Sequence, residues 1–183
     1  MNASRFFVIT GGPGSGKSTL LAALSARGYA HTQEAGRAII RAQAAIGGSA
    51  FPWADRELFA ELMLSWEMRS HELASRDTQP VFFDRGVPDV AGYLRLIGAA
   101  VPPHVHRAAQ SIRYATRVFI APPWPEIYVQ DAERKQDFAE AVRTYEALAA
   151  TYVEYGYELC ILPKCSVGER VDFVLERAEA APR

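Results

Sequence analysis

Asparagine is almost missing from this chain of 183 residues; Asn2 is the only one. An N-K-x-D guanine-reading motif is therefore excluded, and no L-S-G-G-Q-like stretch of the transporter type occurs either. Lysine is nearly as scarce. It stands at Lys17, Lys135 and Lys164 alone, so most positive charge rests on arginine, whose planar fork suits phosphate oxygens. Two cysteines, Cys160 and Cys165, are too few for a disulfide framework or a four-ligand metal site. Cys160 falls in a strand-like run and reads as a small apolar residue, which suits a reducing cytoplasm. No apolar run approaches the roughly 18 residues of a membrane span, and no basic segment with a longer apolar stretch opens the chain, so neither export nor spanning is expected. Twenty Lys+Arg against 21 Asp+Glu leave a net charge of −1 and no global pull toward nucleic acid. Any basic site is local.

What remains is an ordinary globular composition, 49% hydrophobic and 22% charged, at a length that fits one domain over residues 1–183. The stretch Gly11 to Thr19, GGPGSGKST, satisfies G-x-x-x-x-G-K-[ST] through Gly11, Gly16, Lys17 and Ser18. An apolar run precedes it and a helical pattern follows, which is the context a phosphate-binding loop (P-loop) requires. Gly11, Gly12, Gly14 and Gly16 let the backbone curl with its N–H groups inward, and Pro13 stiffens the curl. Ser15 and Thr19 complete the stretch, and the helix N-terminus behind it favours anions. Lys17 is expected on the β- and γ-phosphates and Ser18 on Mg²⁺. The competing view is a Gly-rich strand-to-helix turn without a ligand; the complete spacing and its context weigh against it.

Residues 5–10, RFFVIT, form a short continuous apolar run of the kind buried on both faces of a parallel sheet, and so the central strand. A helix from Ser18 to Arg27 follows, stopped by Gly28, then a short strand from Tyr29 to Thr32 that delivers Glu34 to the carboxyl edge. Residues 34–45 read as a helix that sets Glu34 and Arg37 one turn apart, and Gly47 and Gly48 break it. A loop carrying Phe51 and Trp53 leads to Asp55, an N-cap for a helix to about Ser75 with Leu58, Phe59, Leu62, Met63 and Trp66 as its core stripe. Phe51 and Trp53 either close the core or stack on a substrate. The run 81–86, VFFDRG, is a second buried strand, followed by helices from Pro88 to about Ile97 and around Val105 to Ile112. His104 and His106, two residues apart on that helix, point to different sides and read as solvated rather than metal-binding. A strand over 117–121, a Pro-rich loop, a helix from about Gln136 to Tyr155, a last strand and a last helix complete the chain. Five strands alternating with helices indicate a three-layer α/β/α fold around a parallel sheet.

An Asp-Arg pair at a strand end beside a P-loop resembles the D-R or E-R motif of nucleoside and nucleotide kinases. There the carboxylate addresses Mg²⁺ or the acceptor, and the arginine clamps phosphoryl oxygens. By that resemblance Asp84 and Arg85 are catalytic candidates, Asp84 and Ser18 share the metal, and Glu34 stands in place of the acceptor-binding carboxylate. Arg85 also occupies the position where many ATPases carry a water-activating glutamate. More widely, Q-E-A-G-R at 33–37, F-P-W-A-D at 51–55, F-D-R-G-V-P-D at 83–89, D-A-E-R at 131–134 and the G-Y-E-L, L-P and E-R-V segments near the end resemble the AAA-domain P-loop NTPase family often labelled predicted ATPase. That family is similar to ribosylnicotinamide kinases and other small nucleoside and nucleotide kinases. The resemblance implies a lid over about 122–136 that lays Arg134, beside Asp131 and Lys135, across the transferring phosphoryl group, with Glu34, Arg37 and Trp53 toward the acceptor. Each candidate has a plainer rival: a strand-capping ion pair for Asp84 and Arg85, a solvated i, i+3 pair for Glu34 and Arg37, and surface charge for Arg134 and Lys135.

Two readings follow. The first is a small-molecule kinase using ATP and Mg²⁺ on a hydroxyl or phosphate acceptor, with Lys17, Glu34, Asp84, Arg85 and Arg134 as the catalytic set. The second is a nucleotide-dependent switch or slow ATPase or GTPase, read by a protein partner. The Glu34 position and the Asp84-Arg85 pair favour the first, and ATP over GTP follows the habit of the family.

Overall fold

The structure, a computed structural model, describes residues 3–128 and 137–179. Five parallel strands form one sheet in the order β2-β3-β1-β4-β5, where β1 is Phe6–Gly11, β2 Ala30–His31, β3 Val81–Asp84, β4 Arg117–Ala121 and β5 Glu158–Ile161. Seven α-helices accompany them: α1 Lys17–Ala26, α2 Ala35–Ile46, α3 Arg56–Ala74, α4 Val87–Leu96, α5 Pro103–Ser111, α6 Phe138–Glu154 and α7 Val167–Glu179. Every residue of β1 is buried, as its unbroken apolar run requires of a central strand covered on both faces. The two edge strands β2 and β5 are the most exposed.

Alternation along the strands sorts the core into the two outer layers. Phe6, Val8, Phe83 and Val118 point to one face and pack with residues of α3, α4, α5 and α6. Phe7, Ile9, Phe82 and Phe119 point to the other, against Leu20, Leu21 and Leu24 of α1 and Val171 and Val174 of α7. A third cluster, Ala35, Ile39, Ile40, Ala50 and Phe59, joins α2 to the start of α3. The expected stripe on α3 is corrected at one position: Phe59 is buried, but Leu58 is exposed and the stripe runs through Ala60 and Leu64 instead. Asp55 caps α3 by accepting the Leu58 N–H at 2.9 Å, and Gly47 ends α2 with φ +67.

Register fixes what meets at the carboxyl edge. Ile9 of β1 lies beside both Asp84 of β3 and Phe119 of β4, so the P-loop leaves the sheet directly next to Asp84. Gly11 is pressed against β4, where an added Cβ would stand 2.4 Å from the Ala121 carbonyl oxygen. Its φ of +131 also favours glycine. Cys160 and Cys165 are free and half-buried. His104 pairs with Glu61 at 2.7 Å on the surface, and His106 meets the Tyr155 hydroxyl at 3.0 Å. Among the described residues no helix is long and apolar enough to cross a membrane.

Candidate active site

The loop between β1 and α1 is held from several sides. A Cβ at Gly12 would fall 2.4 Å from the Ala141 carbonyl oxygen of α6, and one at Gly14 would fall 2.5 Å from the Tyr128 ring. Gly14 and Gly16 take φ of +68 and +80, the left-handed turns that curl the loop. Ser15 Oγ donates to the Gly12 carbonyl at 2.8 Å, and Lys17 Nζ donates to the same oxygen at 2.6 Å. Lys17 is buried on the first turn of α1, while Ser18 and Thr19 beside it are exposed and open to a ligand.

At the end of β3, Asp84 is buried, and burial, with the Glu34 carboxylate adding to it, lifts its carboxyl to about 6. Asp84 Oδ1 is buried without a hydrogen-bond partner among the described residues. An orphaned buried carboxylate oxygen next to a phosphate loop is what a hard cation with oxygen ligands would satisfy, so the residues present fit Mg²⁺.

Arg85 follows with φ +75, the one non-glycine residue of the described chain in the left-handed region. That conformation costs on the order of 1–3 kcal/mol and turns the side chain back over the sheet edge. There its NH1 lies 3.0 Å from Asp89 Oδ1 and its Nε 3.7 Å from Glu34 Oε1. Glu34, at the N-cap position of α2 and only 8% exposed, also meets Arg37 Nε at 3.0 Å. The i, i+3 pair seen in the sequence therefore forms, but it is not a solvated one: its carboxylate is shared with the strand-end arginine.

Asp89 is the hub beneath. Its carboxylate accepts from Thr10 Oγ1 at 2.5 Å, the Gly86 N–H at 2.9 Å, the Tyr152 hydroxyl at 2.6 Å and Arg85. Below it, Glu67 of α3 is 2% exposed, and burial, with Asp89 and Asp84 nearby, raises its carboxyl well above the ordinary range. Neither residue is singled out by the sequence patterns. Glu67 left a signal, a charged residue one turn beyond Met63 and Leu64 on the packed side of α3.

A cavity of about 520 Å³ opens beside the loop at Pro13. Glu34, Arg85 and Asp89, with Arg56, Glu140 and Arg143, supply its charged lining, and residues such as Ile40, Phe59, Met63 and Leu96 its apolar lining. Trp53 stands at its rim, 62% exposed and stacked on Phe51 with ring centroids 5.1 Å apart and planes 10° apart. Of the two loop aromatics, Phe51 packs on the α2–α3 cluster and Trp53 lines the cavity. Burial pushes the Tyr93 hydroxyl up to about 12 against the pull of Arg56, and that hydroxyl has no hydrogen-bond partner among the described residues. Of the expected lid, residues 122–128 are described, with a 3₁₀ turn at Pro125–Ile127. Asp131, Arg134 and Lys135 lie outside the described residues.

The AAA domain family model matches residues 6–170. A comparison with curated protein sequences found no match. Among solved structures, deoxyadenosine kinase from M. mycoides, with its products dCMP and a flexible dCDP, is similar at a TM-score of 0.70 and 12% identity, over 96% of this chain and 99% of that one. The NadR protein in complex with NR is similar at 0.72 and 21% identity, over 99% of this chain and 54% of NadR. NadR with NAD and AMP-PNP gives 0.70 and 18%, over 99% and 51%. The chain thus spans about half the length of NadR and nearly all of the deoxyadenosine kinase. At these identities the likeness is one of fold, the fold of small nucleoside and nucleotide kinases.

Proposed function

The chain belongs to the AAA domain family, and from that premise we propose that it is a small-molecule kinase, transferring the γ-phosphoryl group of ATP to an acceptor held in the cavity beside the phosphate loop. One observation carries this reading. The cavity shares Pro13 with the loop, yet it extends away from it between charged side chains, Glu34 and Arg85 among them, and apolar ones, so it makes room for a second molecule next to the phosphates. Small-molecule sites are concave, mostly apolar and oriented by a few polar groups, and this one has that composition. A switch or a slow ATPase needs room for water alone.

The chain's own groups divide the work. The loop amides and Lys17 would hold the donor phosphates, and Ser18 and Asp84 would hold Mg²⁺, which when bound neutralises charge on the phosphate oxygens. Glu34 accepts a hydrogen bond from the acceptor's nucleophilic hydroxyl and orients it, and Arg85, fixed between Glu34 and Asp89, meets negative charge on the phosphoryl group in flight. Arg134 is assigned to the same charge from the lid side, and Arg37 holds the outer face of Glu34. Trp53 offers a stacking face to a planar acceptor body.

The test is incubation with ATP and Mg²⁺ and pooled nucleosides, cofactor precursors and sugars, followed by mass detection of a product heavier by one phosphoryl group. A kinase yields such a product and gains thermal stability from the acceptor as well as from ATP. Release of ADP at one unchanging rate in every pool, with no phosphorylated product, overturns the reading in favour of a hydrolase or switch.

A further inference from the structure

Arg170 is the most unfavourably placed charge in the described chain. It sits on the first turn of α7, where the helix dipole opposes a cation, and is only 2% exposed. No carboxylate pairs with it among the described residues, and its Nε is buried without a hydrogen-bond partner. Buried charges are ordinarily paired, because an uncompensated one costs several kcal/mol. Burial pulls the guanidinium below the usual arginine range, in keeping with that cost. What partly holds it is one hydrogen bond, from NH1 to the Ser15 carbonyl at 3.3 Å, and the Trp124 ring 5.8 Å from its Cζ.

Its position names the missing anion. The guanidinium lies against the outer side of the phosphate loop: a Cβ on Gly16 would stand 2.7 Å from NH1 and 3.1 Å from Ile127 Cδ1. Its hydrogen bond holds the Ser15 carbonyl on Arg170's side, and the planar trans Ser15–Gly16 peptide then sets the Gly16 N–H on the opposite side. Arg170 also adds a full positive charge immediately behind the amides. We propose that Arg170 is a positioning residue of the donor site: it polarises the Ser15–Gly16 peptide and supplies a second cation behind the loop, and the polyphosphate held by Lys17 and the loop is its counter-charge. The inference rests on the nucleotide-binding part of the function proposed above and on none of the acceptor chemistry. It also links the loop to the segment 124–127, since Trp124 lies against the guanidinium and Ile127 closes on the same side of Gly16.

A structural arginine and this one differ in sign. Replacing an unpaired buried charge by an apolar side chain of similar length leaves the nucleotide-free fold unharmed or strengthens it. Removing a charge that supports the phosphate site weakens binding. The experiment is calorimetric titration with ADP and Mg²⁺, together with the nucleotide-free thermal midpoint, for the wild type, Arg170→Met and Arg170→Lys. The expected result for Arg170→Met is a midpoint equal to or above the wild type and an ADP affinity lower by about ten- to a hundredfold, the range of one charged hydrogen-bonding partner. Arg170→Lys, which keeps the charge, recovers a large part of that affinity whatever it does to the midpoint. The proposal is overturned if Arg170→Met binds ADP as the wild type does, or if affinity and midpoint fall together and Arg170→Lys restores neither. A wild type that fails to bind ADP and Mg²⁺ at all overturns the nucleotide reading itself, a result separate from the other two.

Discussion

Glu34 Oε1 and Arg85 Nε face each other at 3.7 Å across the wall of the cavity, joining the head of α2 to the end of β3. The distance is long for a hydrogen bond but close for charges with little water between them. Arg85 is anchored more firmly on its other side, to Asp89 at 3.0 Å, so Glu34 is the partner whose loss would leave the arginine in place. On the kinase reading proposed above, acceptor chemistry and phosphoryl chemistry would be coupled through Arg85, and the two carboxylates of the sheet edge, Glu34 and Asp84, would be separable by mutation.

Glu34→Gln is expected to lower acceptor phosphorylation by about 10²-fold or more while sparing slow hydrolysis, because water needs no carboxylate to seat it in the cavity. Asp84→Asn is expected to lower both, since it acts on the donor side. The measurement is ADP release with and without acceptor. Equal acceptor turnover by Glu34→Gln and wild type removes Glu34 from the site.

Asp89 holds four partners on three parts of the chain, Thr10, the Arg85–Gly86 pair and Tyr152, and its removal is expected to act on the fold and the site together. Asp89→Ala leaves Arg85 and the Tyr152 hydroxyl without their buried acceptor, at a cost of about 3–5 kcal/mol. Tyr152→Phe removes a single one of these bonds and is expected to cost about 1 kcal/mol. Urea midpoints separate the two. Equal losses would mean that the carboxylate is not the hub its contacts describe.

The order of strands and helices was legible because the three inner strands β1, β3 and β4 are short buried apolar runs and glycines such as Gly28 and Gly47 mark helix ends. The loop and the Glu34–Arg37 pair were legible because their spacing is local. Asp89 and Glu67 were not, because their meaning is set by partners far along the chain: Thr10 and Tyr152 for the first, the packed backs of α3 and α4 for the second. Arg170 sits in the E-R-V segment of the resemblance, but its role stayed hidden for the same reason, since its contact with Ser15 spans most of the chain. Leu58 misled by propensity, an apolar residue at a helical spacing that the turn of α3 points outward.

Tyr93 carries a buried hydroxyl that has no hydrogen-bond partner among the described residues, on the cavity wall and edge-on to Phe59 at 5.6 Å. An unsatisfied buried hydroxyl costs about 1–3 kcal/mol, so Tyr93→Phe is expected to leave the ligand-free protein as stable as before or more so. If the hydroxyl reads a polar group on the acceptor, the same variant loses discrimination between acceptors that differ by that group. Thermal midpoints with and without acceptor give both quantities. A clear loss of stability without ligand would mean that the hydroxyl is satisfied.

Glu67 offers a test in pH. Its carboxyl is raised well above the ordinary value by burial first and by Asp89 and Asp84 next, so the folded protein keeps a proton that the unfolded chain releases near the usual carboxylate range. Where the unfolded state binds fewer protons than the native one, stability falls as pH rises. The contribution of Glu67 is therefore fully present below about pH 4.5, the ordinary glutamate value, and is lost progressively as pH climbs toward the raised value. Glu67→Gln keeps the shape and the hydrogen-bonding capacity of the protonated acid but has no proton to lose. The variant is expected to match the wild type most closely in acid and to gain on it as pH rises above about 4.5, as read by urea unfolding at each pH. Parallel stability profiles over that range would mean that Glu67 is ionised in the folded protein and that a cation, not a proton, keeps it inside.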